Sequence, residues 1–97
     1  MISKFDNQLP EVLRKAHKHS CCNKEEVMSS DVCGCFYCLR IFTPNEIEQW
    51  IGSEKDDNVT FTAVCPYCNI DSVIGSKSGF LINESLLNSL HKFAFNE

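Results

Sequence analysis

Cys33-Gly34-Cys35-Phe36-Tyr37-Cys38, answered after 26 intervening residues by Cys65-Pro66-Tyr67-Cys68, decides how this chain is to be read. In a Cys-x-x-Cys pair the two intervening residues make a tight turn that points both sulfurs inward, and the turn's backbone N–H groups can donate to the thiolates. Two such pairs supply the four soft donors of a tetrahedral Zn²⁺ site. The candidate ligands are Cys35, Cys38, Cys65 and Cys68, holding one structural zinc. Cys33, one residue from Cys35, is the extra or alternative ligand. Cys21 and Cys22 are adjacent, and adjacent thiols rarely chelate one ion in a compact site, so they are placed outside it. A single pair would leave open that these are ordinary buried cysteines; two pairs argue against that.

The chain has 97 residues and is read as one domain, a helical segment over 1–30 and a zinc-ribbon-like core over 31–97 that ends in a helix. A chain of this size buries a modest core, so a metal staple is physically useful. Its seven cysteines are odd in number, clustered, and not preceded by an apolar leader, which favours metal in a reducing cytoplasm over disulfides. No apolar run approaches the roughly 20 residues that span a bilayer. The formal charge is −4, and four thiolates with one divalent cation take it to −6. Nucleic-acid binding usually starts from a basic surface, so that class is disfavoured. The basic residues Arg14, Lys15, Lys18 and Lys24 nevertheless gather near the start.

Hydrophobic spacing places the elements. Leu9, Val12, Leu13 and Ala16 recur at helical intervals, with Asp6 or Asn7 to cap and Pro10 in the first turn. Asn23 is positioned to cap a short turn over Lys24-Glu25-Glu26-Val27-Met28. Thr43, Pro44 and Glu46 read as a capping box with proline at the first helical position, and Phe42 with Ile47 as a hydrophobic staple. These predict a helix from Thr43 to Gly52 that buries Ile47, Trp50 and Ile51. Val59 to Val64 is β-rich and runs into the second Cys pair. Asn69 suits the left-handed conformation that such a loop needs at its exit. Ile70 to Ile82 reads as short extended pieces broken by Gly75 and Gly79. Asn83 caps a last helix that buries Leu86, Leu87, Leu90 and Phe93.

Other chemistry is sparse. His17 and His19 sit two apart on a helix and so face different ways, and His91 lies in a final helical turn where its charge suits the macrodipole. Zinc deaminases carry His-x-Glu with Pro-Cys-x-x-Cys; here the order is Cys-Pro and there is no His-x-Glu. The chain is therefore read as a non-enzyme. Asp71-Ser72 beside the second pair reads as a turn.

The stretches 33–51 and 63–95 resemble a set of small bacterial proteins labelled only as cytoplasmic proteins. They share the Cys-Gly-Cys-Phe-Tyr-Cys loop, here Cys33 to Cys38. They also share a Cys-Pro-x-Cys loop followed by Ile-Asp-Ser-Val-Ile-Gly, here Cys65 to Gly75. This sequence departs from them at Asn69, where Gly is usual, and at Cys21-Cys22. The loops also look like zinc-ribbon knuckles, and the second resembles a rubredoxin loop, which would hold iron for electron transfer. The resemblance implies a cytosolic zinc-binding domain, and the chain as a whole is read as α+β and zinc-ribbon-like, with a short antiparallel sheet and about three helices.

The functional expectation is a zinc-stapled protein-interaction module. Its concrete form is an immunity- or antitoxin-like protein that covers a basic partner with an acidic surface. Glu46, Glu48, Glu54, Asp56, Asp57 and Asp71 would supply that surface. A nucleic-acid-binding or regulatory zinc ribbon is the alternative.

Overall fold

In the computed structural model, which describes residues 10–55 and 58–95, the chain is α+β. Among the described residues are three α-helices, α1 (Pro10–Lys18), α2 (Lys24–Met28) and α3 (Glu84–Phe95). Strand β1 (Cys33–Cys35) lies between β2 (Ile41–Phe42) and β5 (Val73–Gly75) in a three-stranded antiparallel sheet. Strands β3 (Trp50–Lys55) and β4 (Asn58–Ala63) form a separate antiparallel hairpin.

The sequence Cys-Gly-Cys of β1 divides the core. Side chains alternate across a strand, so Cys33 and Cys35 face one way and Gly34 the other. On the cysteine face Val27, Phe42, Ile47, Ala63, Cys65 and Val73 close a buried cluster. On the opposite face Ile74 packs with Phe36, Leu13 and Ala16 of α1, and Leu86, Leu87 and Leu90 of α3. Helix α3 lies so close to β1 that a Cβ on Gly34 would come within 2.8 Å of Leu87 Cδ1. That approach is why the middle of β1 carries no side chain.

Helices α1 and α3 follow their apolar spacing. The Oδ1 of Asn83 accepts from the Leu86 N–H at 2.8 Å, the expected cap. Leu9, Asp6 and Asn7 lie outside the described residues. Phe93, predicted to be buried, is 39% exposed, because the last turn is covered by Ala94 and Phe95 instead. Ile70 to Ile82 holds β5, a 3₁₀ turn at Ser76–Ser78, and Gly79 in the left-handed region at φ 95°.

The helix predicted from Thr43 to Gly52 is not formed. Its capping box is present, but only a 3₁₀ turn at Pro44–Glu46 follows, and Ile47 is already extended. Residues 50–55 then pair with β4 from Trp50↔Ala63 to Lys55↔Asn58. A helix of nine or ten residues is marginal without tertiary support, whereas β4 needs a neighbour for its backbone groups. Pairing therefore overrides the local start signal. Ile47 stays buried, but Ile51, predicted as core, is 47% exposed.

Asn23 precedes α2 as expected but makes no side-chain cap. Its amide instead donates to the carbonyls of His19 (2.8 Å) and Val73 (2.9 Å), while its Oδ1 accepts from the Ala63 N–H at 3.0 Å. One buried side chain thus joins the end of α1, the hairpin and β5.

Candidate metal centre

The two Cys-x-x-Cys loops are built alike. In the first, Cys35 N–H donates to Arg40 O (2.9 Å) and Leu39 N–H returns to Cys35 O (2.8 Å). In the second, Cys65 N–H donates to Ile70 O (2.9 Å) and Asn69 N–H returns to Cys65 O (3.0 Å). The closing residue is left-handed in both, Leu39 at φ 67° and Asn69 at φ 64°. Amides then aim at sulfur: Tyr37 and Cys38 N–H at Cys35 Sγ (3.3 and 3.4 Å), and Tyr67 N–H at Cys65 Sγ (3.4 Å).

That arrangement gathers Cys35, Cys38, Cys65 and Cys68, whose sulfurs all lie within 4.8 Å of one another. The cross-knuckle separations are 3.6 Å for Cys35–Cys68 and 3.7 Å for Cys38–Cys65. Metal–sulfur bonds of about 2.3 Å at tetrahedral angles place sulfurs about 3.75 Å apart. The donor set therefore fits one tetrahedral ion, which these four thiols can hold. Burial pushes the Cys65 thiol up to about 11 and raises Cys68 as well. Burial pushes Cys35 in the same direction. The Ser72 hydroxyl and the amides of Cys38 and Tyr37 outweigh it, leaving Cys35 below its ordinary value.

Cys33, the alternative ligand, is outside this group. It shares the face of Cys35 but sits two residues away, about 7 Å along a strand. It is fully buried beside Val27 and Val73, and burial pushes its thiol up to about 12. Cys21 and Cys22 are exposed at the far end of α1, also outside the group. His17 is exposed with its ring 5.6 Å from that of Phe36, and His19 pairs with Glu26 at 2.9 Å.

Two supporting residues escaped the sequence reading. Ser72 is buried, and its hydroxyl lies 3.0 Å from Cys35 Sγ while its carbonyl accepts from Phe36 N–H. The Nδ1–H of His91 donates to Phe36 O at 2.9 Å, tying α3 to the first knuckle. The motif signal for Ser72 was its place beside the second Cys pair; His91 had none. Outer-shell groups of this kind fix ligand orientation. Ser72→Ala is expected to weaken metal binding about 10-fold and to cost about 1–2 kcal/mol of stability. Competition with a chromogenic chelator and thermal melts read the two effects.

Asn69 is exposed and left-handed, a conformation that costs most L-residues about 1–2 kcal/mol. Asn69→Gly is expected to leave the melt unchanged or raise stability by up to about 1 kcal/mol, and Asn69→Val to lower it by about 1–2 kcal/mol. Leu39 keeps a side chain in the same conformation because it packs against the α1–α3 core.

Of the acidic residues, Glu46 is engaged by the site itself: Thr43 N–H donates to it at 2.9 Å and the Tyr67 hydroxyl also donates. Thr43 first, then Tyr67, hold Glu46 below the usual carboxylate range, and Glu46 raises Tyr67 in return. Arg40 covers the Tyr67 ring at 4.6 Å. Glu48, Glu54 and Asp71 are exposed; Asp56 and Asp57 lie outside the described residues. Among the described residues no helix is long and apolar enough to cross a membrane. No family model, curated protein or solved structure matches the chain.

Proposed function

We propose that this chain is a non-catalytic protein-interaction module held in shape by one structural Zn²⁺, with a basic protein as its partner. The observation that carries the reading is the closed sulfur cluster. Four protein thiols at tetrahedral-edge distances fill zinc's usual coordination, which is the arrangement of structural rather than catalytic zinc.

The hairpin supports the interaction part. Val59 and Phe61 are exposed on one face of it with Glu54, which pairs with Val59, while Ile51 is exposed on the other face and Glu48 just before the hairpin. Apolar side chains beside carboxylates suit a partner that presents cations around a hydrophobic centre. The sharpest form of the proposal is an immunity- or antitoxin-like protein covering a basic toxin, with this hairpin in place of an acidic helix.

Native mass spectrometry of chain taken directly from its host tests both parts, because it reports metal and companion together. One zinc and a basic companion are expected. The companion should be lost from a Val59→Asp/Phe61→Ser variant that keeps its zinc and its melt. A zinc-loaded chain that never carries a companion counts against the interaction role. Iron in place of zinc would favour the electron-carrier alternative.

Nucleic-acid binding has one supporting feature, the exposed Arg14, Lys15 and Lys18 of α1. No mobility shift at low salt removes it.

A further inference from the structure

Cys21 and Cys22 stand outside the knuckle cluster, and both are exposed. Their Sγ atoms are 3.3 Å apart. The pair is also held in place. Cys22 is left-handed at φ 53°, its N–H donates to Thr62 Oγ1 at 2.8 Å, and the Thr60 hydroxyl donates to its Sγ at 3.2 Å. Both threonines belong to β4, and the next residue, Asn23, is the buried joint already described. The dithiol is therefore mounted on a fixed segment, beside a cavity of about 250 Å³ lined by Cys21, His17, Phe36 and Asp71.

We propose that Cys21 and Cys22 form a bidentate site for a trivalent thiophilic metalloid of the arsenite class. The bite selects the ligand. Bonds of about 2.3 Å to two sulfurs 3.3 Å apart subtend an angle of about 90°. Pyramidal trivalent arsenic bonds near right angles and needs only two protein sulfurs when its third position carries a hydroxyl. A tetrahedral cation wants a wider bite and two more donors, and a linear two-coordinate cation wants its sulfurs on opposite sides.

A disulfide is the competing product, and it fits less well. Neighbouring Cα atoms are about 3.8 Å apart, short of the roughly 4.4–6.8 Å that disulfides favour. The sulfurs would also have to close from 3.3 Å to about 2.05 Å.

The binding step is redox-neutral. As(OH)₃ meets two thiols; two As–S bonds form as two As–O bonds break, and the thiol protons leave with the two hydroxides as two waters. Each sulfur attacks as its thiolate, its proton passing to the hydroxide that leaves.

The test is titration of reduced, zinc-loaded chain with arsenite, following bound arsenic, bound zinc and the alkylation of each cysteine. One arsenic per chain is expected, with zinc retained and Cys21 and Cys22 protected from iodoacetamide. Cys21→Ser and Cys22→Ser should each weaken arsenite binding about 100-fold or more, the loss expected when a chelate becomes a single attachment. Their zinc content and melt should not change. Three results would overturn the proposal: no binding at millimolar arsenite, equal binding by both serine variants, or arsenic taken up as zinc is released while Cys21 and Cys22 remain open to alkylation. The alkylation map is read on the native chain, so the answer does not depend on the variants folding.

Discussion

Stripping the metal, or replacing Cys65 with serine, is expected to abolish the cooperative melt of this chain. The apolar cluster on the cysteine face of β1 includes Cys35 and Cys65 themselves, so an ion held by the knuckles would sit at the edge of that core. Structural zinc contributes about 10–16 kcal/mol of apparent binding free energy at neutral pH, against a typical net stability of about 5–15 kcal/mol for a whole domain. Removal therefore takes away as much as the fold has in reserve. Cys65 is the severest of the single changes because it is fully buried and lies at the junction of β4 and the second knuckle. Acid should act like a chelator. The bound ion keeps its thiolates ionised, whereas an unfolded cysteine titrates near 8.5. Holo stability is thus fully present above that value and is lost as pH falls through the metal-bound thiols' lowered pKa. Circular dichroism melts with and without chelator, repeated from neutral to acid pH, read both effects; an unchanged melt in chelator sinks the metal-centred account.

Asn23→Leu is expected to cost about 3 kcal/mol or more, a large effect for a single polar side chain. The change preserves bulk but strands the Val73 carbonyl and the Ala63 N–H, which Asn23 now satisfies in the interior. A buried polar group left without its partner costs about 1–3 kcal/mol, and here two lose theirs together with the bond to His19 O. Asn23→Asp should fail nearly as badly, because a carboxylate can accept from Ala63 but cannot donate to two carbonyls. Urea titrations of metal-loaded variants measure the loss, and a shift below about 1 kcal/mol for Asn23→Leu would show the three bonds to be dispensable.

The same residues mark where the sequence was legible. Cys-x-x-Cys spacing named the four clustered thiols, and Asn69 disclosed its left-handed turn, because local geometry alone sets both. Helices α1 and α3 followed from apolar spacing, and strand β4 from its run of β-favouring residues. The stretch 43–52 did not, since its capping box is a local signal and the partner it finally takes, β4, is supplied by the rest of the chain. Cys33 could be excluded only once β1 fixed which face it shared with Cys35 and how far away it sat. Asn23 looked like a cap because its three partners lie on α1, β4 and β5, two of them forty and fifty residues away. Ser72 shared that difficulty: its partner, Cys35, is distant in sequence and close only in the fold.

The β3–β4 ribbon is held from Ala63, which meets Asn23, out to Thr62 and Thr60, which bond Cys22, while Glu54 and Val59 project beyond. A load on that tip is carried back along β4 toward Cys65, two residues past the strand's end. Contact at the tip would then alter the rate at which a metal held by the knuckles exchanges, which makes that rate a gauge of contact made well away from it.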